Sequence, residues 1–210
     1  MFTGIVEEVG VLRQAARQWL ELTAAGTAAR LKPGDSVSVS GVCLTATRVQ
    51  GEAFRVDVSA ETLSKTTLGR FQAGQRVNLE TALTLDRPLG GHLLLGHVDC
   101  VGRVGEVLQR PDAWRVRVEF PAEFGHWVVA RGSIGVDGIS LTVAELSGAG
   151  VELALIPHTL AQTTLCQVRA GQEVNLEFDI LGKYVTRYLE LRQSGAAAPL
   201  TLGRLKDLGY

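Results

Sequence analysis

The sequence predicts an all-β fold: two homologous closed barrels in tandem, followed by a helix. Three observations lead there. A long segment of the chain repeats itself, short stretches alternate apolar and polar residues, and one late stretch carries helical periodicity.

The repeat is the strongest of the three. Gly41-Val42-Cys43-Leu44-Thr45 matches Gly138-Ile139-Ser140-Leu141-Thr142 at an offset of 97 positions. At the same offset Thr62-Leu63 meets Thr159-Leu160, and Thr66-Thr67-Leu68 meets Thr163-Thr164-Leu165. Ala73-Gly74-Gln75 meets Ala170-Gly171-Gln172, and Val77-Asn78-Leu79-Glu80 meets Val174-Asn175-Leu176-Glu177. Near the start of each copy the offset is 92, where Gly4, Val6, Val9 and Gly10 meet Gly96, Val98, Val101 and Gly102. Many identities in one register with one small gap give two modules, residues 1–90 and 91–182. Each is long enough to fold around its own core.

Each module reads as strands. Val37 and Val39 alternate with Ser36, Ser38 and Ser40; Phe54, Val56 and Val58 alternate with Arg55, Asp57 and Ser59. In the second copy Trp114, Val116 and Val118 alternate with Arg115, Arg117 and Glu119. Lys32-Pro33-Gly34-Asp35 and Ala73-Gly74-Gln75 are turn signals between them. Several short strands per module suit a small Greek-key barrel, whose closure removes exposed sheet edges. Short helices are expected over residues 61–68 and 121–130. After the second module Tyr184, Tyr188 and Leu191 recur at i, i+4 and i+7, with Val185 beside them, which predicts a helix over 183–195. Its apolar stripe suits either packing on the second barrel or an intermolecular bundle. Residues 196–210 read as an extended tail.

Composition sets the limits. The 210 residues carry 21 basic and 22 acidic side chains, without single-sign blocks, so no footprint for nucleic acid is expected. No apolar run reaches the 20 or so residues needed to cross a bilayer, and the start shows no signal-peptide pattern. Three cysteines without CxxC spacing read as free thiols of a cytoplasmic protein. The four histidines show no ligand spacing with them, so no metal is expected.

Three motifs carry candidate chemistry. In the first, Cys43, Thr45 and Thr47 share one strand face, and Ser140 and Thr142 repeat the pattern. A tuned thiol can act as nucleophile or acid. The second is Gly90-Gly91-His92-Leu93-Leu94-Leu95-Gly96-His97 at the module junction. Its glycines permit close approach of a ligand, and its histidines are proton carriers near neutral pH. Nothing matches a phosphate loop. The third is Ile156-Pro157-His158-Thr159-Leu160, matched by Ser59-Ala60-Glu61-Thr62-Leu63, where a strand entering a helix offers backbone groups to a heterocycle.

Together with the opening Met1-Phe2-Thr3-Gly4-Ile5-Val6 and with Gly135-Val136-Asp137-Gly138, these motifs make the chain resemble the riboflavin synthases of the alpha-chain type, up to about residue 193. The resemblance implies two six-stranded antiparallel barrels and a C-terminal helix through which three copies assemble. It implies transfer of a four-carbon unit between two molecules of 6,7-dimethyl-8-ribityllumazine, giving riboflavin and 5-amino-6-ribitylaminouracil. Donor and acceptor are the same compound, so no cofactor is implied.

Carried onto this sequence, the resemblance gives Cys43, His97, Ser36, Thr142 and Asp179 catalytic roles. One lumazine is expected against Gly4, Ile5, Val6, Cys43, Leu44, Thr45, Asp57, Val58, Ser59, Ala60, Glu61 and Thr62. The other is expected against Gly96, His97, Val98, Arg131, Ser140, Leu141, Thr142, Ala154, Leu155, Ile156, Pro157, His158 and Thr159. The resemblance further implies active sites between subunits. Val42, Val39, His158 and Arg131 depart from residues seen in relatives; the last exchanges lysine for a planar guanidinium. The competing reading is a non-catalytic lumazine or flavin holder with the same double barrel. Ser36, Cys43 and His97 together favour the enzyme.

Overall fold

The computed structural model describes residues 1–110, 113–148, 150–193 and Lys206. Strands β1 (Glu8–Ala15) and β2 (Trp19–Thr23) lead through a short helix, α1 (Ala25–Ala28), to β3 (Ser36–Val39), β4 (Val42–Gln50) and β5 (Ala53–Asp57). Helix α2 (Ala60–Lys65) and β6 (Arg76–Thr81) complete the module. The strands pair in the order β1-β2-β5-β4-β3-β6, and β6 closes on β1.

The second module follows the same order. It comprises β7 (Cys100–Leu108), β8 (Trp114–Glu119), β9 (Ser133–Val136), β10 (Ile139–Leu146), β11 (Gly150–Leu155), helix α3 (Pro157–Gln162) and β12 (Glu173–Phe178). Its strands close in the matching cycle, all antiparallel. Register shifts fall at equivalent places, between Leu12 and Gln14 and between Val104 and Glu106, and again between Ala46 and Arg48 and between Val143 and Glu145. Such irregularities bend a strand around a narrow barrel.

Period-2 alternation puts one face of each strand inside. Leu20, Leu22, Phe54, Val56, Val77 and Leu79 fill the first barrel, and Ile134, Val143, Leu153, Leu155, Val174 and Leu176 fill the second. The expected helix over 61–68 is α2 followed by a 3-10 turn, Thr67–Arg70; the one over 121–130 is a 3-10 helix, Ala122–Trp127. Ser59 caps α2, its Oγ accepting from the Thr62 N–H at 3.0 Å.

The last helix, α4 (Ile180–Gln193), starts three residues before the expected position. Asp179 supplies the reason: its carboxylate accepts from the Leu181 N–H at 3.0 Å, and so opens the helix there. Gly182 lies inside the helix and does not break it. A Cβ at Gly182 would sit 2.8 Å from the Trp127 carbonyl oxygen, so glycine lets the helix rest on the second barrel. Residue 194 onward, the expected tail included, lies outside the described residues apart from Lys206. Among the described residues no helix is long and apolar enough to cross a membrane.

The barrels meet through reciprocal bonds. Asn78 Nδ2 donates to the Asp137 carbonyl (3.0 Å), and Asn175 Nδ2 donates to the Ser40 carbonyl (2.8 Å). Thr67 N–H donates to Asn175 Oδ1 (2.8 Å), and Thr164 N–H donates to Asn78 Oδ1 (2.9 Å). Gly41 and Gly138 lie back to back between the barrels, both with positive φ; a Cβ on either would come within 2.7 Å of the other's nitrogen.

Candidate active site

Two short backbone segments cross between the barrels. The Gly96 carbonyl accepts from the Cys43 N–H at 2.8 Å, and the Gly4 carbonyl accepts from the Ser140 N–H at 2.8 Å. Both glycines have φ +76° and lie so close that a Cβ would meet the Cβ of Cys43 or Ser140 at 2.5 or 2.6 Å. Val98 packs on the first barrel's core and Val6 on the second's. The expected grouping is therefore exchanged: residues 4–6 lie against the second barrel and residues 96–98 against the first. Residues 2–3 pair antiparallel with residues 92–94, Phe2 with Leu94 in both directions and His92 N–H with the Thr3 carbonyl. That pairing steers the two segments to opposite sides.

On the first barrel, Cys43 is half-buried on β4 opposite Ser38, with the exposed His97 on the segment that crosses it. Ser36, Thr45 and Asp57 form a row across β3, β4 and β5. Thr47 Oγ1 donates to the Asp57 carboxylate at 3.2 Å. Asp57, Val58, Ser59 and Ala60 line an open cleft with Arg17, Gln18 and Leu63. Of these lining residues Arg17 and Gln18 were not expected, since they sit in a polar turn without a motif. Glu61, at the exposed rim, is paired with Lys65 at 2.7 Å, which holds its carboxyl below the usual range.

On the second barrel stands His92, a candidate proton carrier of the glycine-rich motif to which the resemblance gave no site role. Its Nδ1 lies 2.7 Å from Ser140 Oγ, while its Nε2 is buried without a hydrogen-bond partner. Burial lowers the His92 pKa, and the nearby negative charge of Asp179 opposes that shift. Gly91 makes the placement possible, because a Cβ there would strike the Thr3 carbonyl oxygen and Ser140. The Gly-Gly-His signal was visible in the sequence; its target was not.

Thr142, opposite Ser133 on β10, is exposed, as are Ala154, Ile156, Pro157 and His158. Leu44, Val58, Leu141 and Leu155 turn their side chains into the cores, so only their backbone can face a ligand. Arg131 holds a left-handed backbone, φ +64°, where the first module has Gly34 at +98°. A non-glycine residue held there carries backbone strain that Gly34 avoids.

Other titratable groups are buried nearby. Burial pushes the half-buried Cys100 thiol up to about 12, with Asp99 and Glu123 adding to the shift, which disfavours the reactive thiolate. Burial raises Glu80 as well, and it pushes Glu177 up to about 7 against the N–H donors of Leu95 and Gly96.

Comparison with known proteins gives this geometry a family. The sequence profile of the lumazine binding domain matches residues 3–82 and again 95–179. The chain is 46% identical to the riboflavin synthase of Mycobacterium tuberculosis over 199 residues, covering 90% of this chain and 98% of that one. It is 35% identical to the riboflavin synthase of Bacillus subtilis along the whole of both chains.

The chain belongs to the riboflavin synthase family.

The lumazine binding domain thus occurs twice in this chain, once in each barrel. Among solved structures, LumP complexed with riboflavin superposes with a TM-score of 0.79 at 24% identity, over 85% of this chain and 99% of that one. LumP complexed with 6,7-dimethyl-8-(1'-D-ribityl) lumazine gives 0.77, over 84% and 98%. These two establish the shared double-barrel fold. The expected family, fold class and enzyme class are thereby borne out.

Proposed function

We propose that the protein is a riboflavin synthase that dismutates two molecules of 6,7-dimethyl-8-ribityllumazine into riboflavin and 5-amino-6-ribitylaminouracil. The observation that carries this reading is the pair of unlike sites on homologous barrels: a thiol crossed by the His97 segment on one, and a serine paired with His92 on the other. A dismutation needs two copies of one compound held in different chemical roles, and a duplicated barrel with diverged side chains supplies two such places.

The chemistry follows from the residues. The 7-methyl group of the lumazine is an acidic carbon acid, whose anion delocalises into the ring. His92, kept neutral by burial and aimed at Ser140, is suited to take or relay a proton; His97 does the same work beside Cys43. Cys43 and Ser36 add to or orient the partner lumazine. Backbone N–H groups at the starts of α2 and α3 stabilise charge on the heterocycles. Arg131, Thr142 and His158 bind the second lumazine, and Asp179 supports the charge on His92. Holding the two rings in register supplies much of the rate.

We place the complete site between subunits of a homotrimer in the cytoplasm. Leu181, Tyr184, Val185, Tyr188 and Leu189 on α4 are each half or more exposed. So large an apolar stripe on a helix suits burial against its own copies.

The test is direct. The purified protein is mixed with 6,7-dimethyl-8-ribityllumazine alone, and riboflavin is followed by its absorbance. One riboflavin per two substrates, over many turnovers, supports the reading. Tight binding without turnover would replace it with a chromophore holder. Sedimentation of the same sample, with and without Tyr184→Glu and Tyr188→Glu, tests the assembly.

A further inference from the structure

Two buried carboxylates do work that the reaction scheme leaves unassigned. Glu80 on β6 and Glu177 on β12 hold equivalent places, and both are almost completely buried. Among the described residues no basic side chain lies within ion-pair distance of either. A carboxylate withdrawn from water needs other donors, and here backbone supplies them. Glu80 Oε1 accepts from the Thr3 N–H (2.6 Å) and hydroxyl (2.7 Å), and its Oε2 from the Gly4 N–H (2.9 Å). Glu177 Oε1 accepts from the Leu95 N–H (2.6 Å), and its Oε2 from the Gly96 N–H (2.9 Å).

The segments so held are the two that cross between barrels. Glu177 belongs to the second barrel, yet the Gly96 it fixes bonds to Cys43 of the first. Glu80 belongs to the first barrel, yet the Gly4 it fixes bonds to Ser140 of the second. Each crossing segment is thus anchored at both ends: a carboxylate on its own barrel grips two successive N–H groups, and its glycine carbonyl docks on the other barrel. Both oxygens of each carboxylate are engaged, so an amide cannot take its place. Gln offers one acceptor and turns an N–H donor towards the second N–H.

We propose that Glu177 and Glu80 are positioning residues, each fixing from its own barrel the strap that completes the lumazine site of the opposite barrel. The claim that the sites bind lumazine rests on the proposed function; the claim that each carboxylate acts across the junction does not.

The test uses thiol labelling, which needs no turnover. Gly96 shields Cys43, so Glu177→Gln is expected to raise the rate of Cys43 alkylation by iodoacetamide about tenfold, the effect of losing one hydrogen bond to a charged group. Cys100 and Cys166 should be unaffected, as mapped by peptide mass. Glu80→Gln should leave Cys43 at its native rate. It should instead expose the thiol introduced by Ser140→Cys, which Glu177→Gln should leave protected. Labelling that rises equally at both positions in both variants, or at neither, overturns the proposal, the first by showing only general loosening.

Hydrogen exchange of the unsubstituted protein gives a second measure. The Leu95 and Gly96 amides, which meet no backbone acceptor, should be protected well above the free-peptide rate; exchange at that rate also overturns it. With labelling as expected, a KM for lumazine raised in each Gln variant extends the role to the reaction. No turnover by any form, the native one included, would remove only the synthase reading.

Discussion

His92 Nδ1 and Ser140 Oγ lie 2.7 Å apart, although 48 residues separate them in the chain. Gly91 lets the histidine approach, and the pairing of residues 2–3 with residues 92–94 holds it there. His92→Gln and Ser140→Ala should each lower kcat by about 10²–10⁴-fold, the usual range for loss of an acid–base group, with near-UV circular dichroism unchanged. Burial favours the neutral ring, so the acid limb of kcat/KM should lie below the ordinary histidine value of 6.5. A limb centred above that value would assign the proton to another group.

Arg131 tests whether strain is kept for function. Its left-handed backbone costs roughly 1 kcal/mol or more for a non-glycine residue. Arg131→Gly should leave thermal stability equal or higher while raising KM for lumazine. Arg131→Ala should raise KM alike without any gain in stability. Both are read from melting curves and steady-state kinetics. Loss of stability in the glycine variant would mean that the side chain supports the fold.

Asp137 sets a pH dependence of stability. It is buried at the junction, and burial pushes its carboxyl from 3.8 up to about 7 against the N–H of Asn175. The native state therefore holds a proton that the unfolded chain releases. This contribution to stability is full below about 3.8 and is lost as pH rises through about 7. Asn keeps an acceptor for Asn175 and tolerates the φ of +46°. Asp137→Asn should be the more stable form at pH 8, by a margin on the order of 1–3 kcal/mol. The margin should shrink towards pH 4 in urea titrations. A margin independent of pH would contradict this account.

Glycines of the same φ class should differ sharply in tolerance. At Gly74 an added Cβ meets open space, so Gly74→Ala bears only backbone strain of about 1–2 kcal/mol. At Gly41 it would also collide with the backbone of Gly138 at 2.7 Å. Gly41→Ala should cost roughly twice as much or more and loosen the junction, as denaturant midpoints would show.

The strands and the two barrels were legible because alternation and repetition are local. Trp114 to Glu119 reads as a strand and is one, and offsets of 92 near the start and 97 beyond it equate the two modules. What crosses between modules was not legible. The repeat pairs Gly4 with Gly96 by descent, but contact runs from Gly4 to Ser140 and from Gly96 to Cys43, and no one-dimensional pattern encodes that exchange. His92 stood out in its glycine-rich motif, but it lies before the start of the repeated block, so no partner in the first module pointed to Ser140 as its contact. Glu80 and Glu177 did leave a trace: an acidic residue stands at the same place in both copies of Val-Asn-Leu-Glu, inside a strand and away from any turn. The helix expected over 183–195 leaves Gly182 outside, as suits a residue that costs stability in mid-helix. Only the Trp127 carbonyl explains why it is there.

The back-to-back contact of Gly41 with Gly138 also bears on how the two copies drifted apart. Neither position can gain a side chain without displacing its twin, and Asn78 and Asn175 are bound to each other's neighbours in the same reciprocal way. Change at either side of the seam is therefore constrained by the other side. Away from the seam each copy was free to change alone, and there Cys43 faces Ser140, Glu61 faces His158 and Gly34 faces Arg131 in the alignment of the copies. A symmetric seam with asymmetric rims gives one chain two related sites of unlike chemistry.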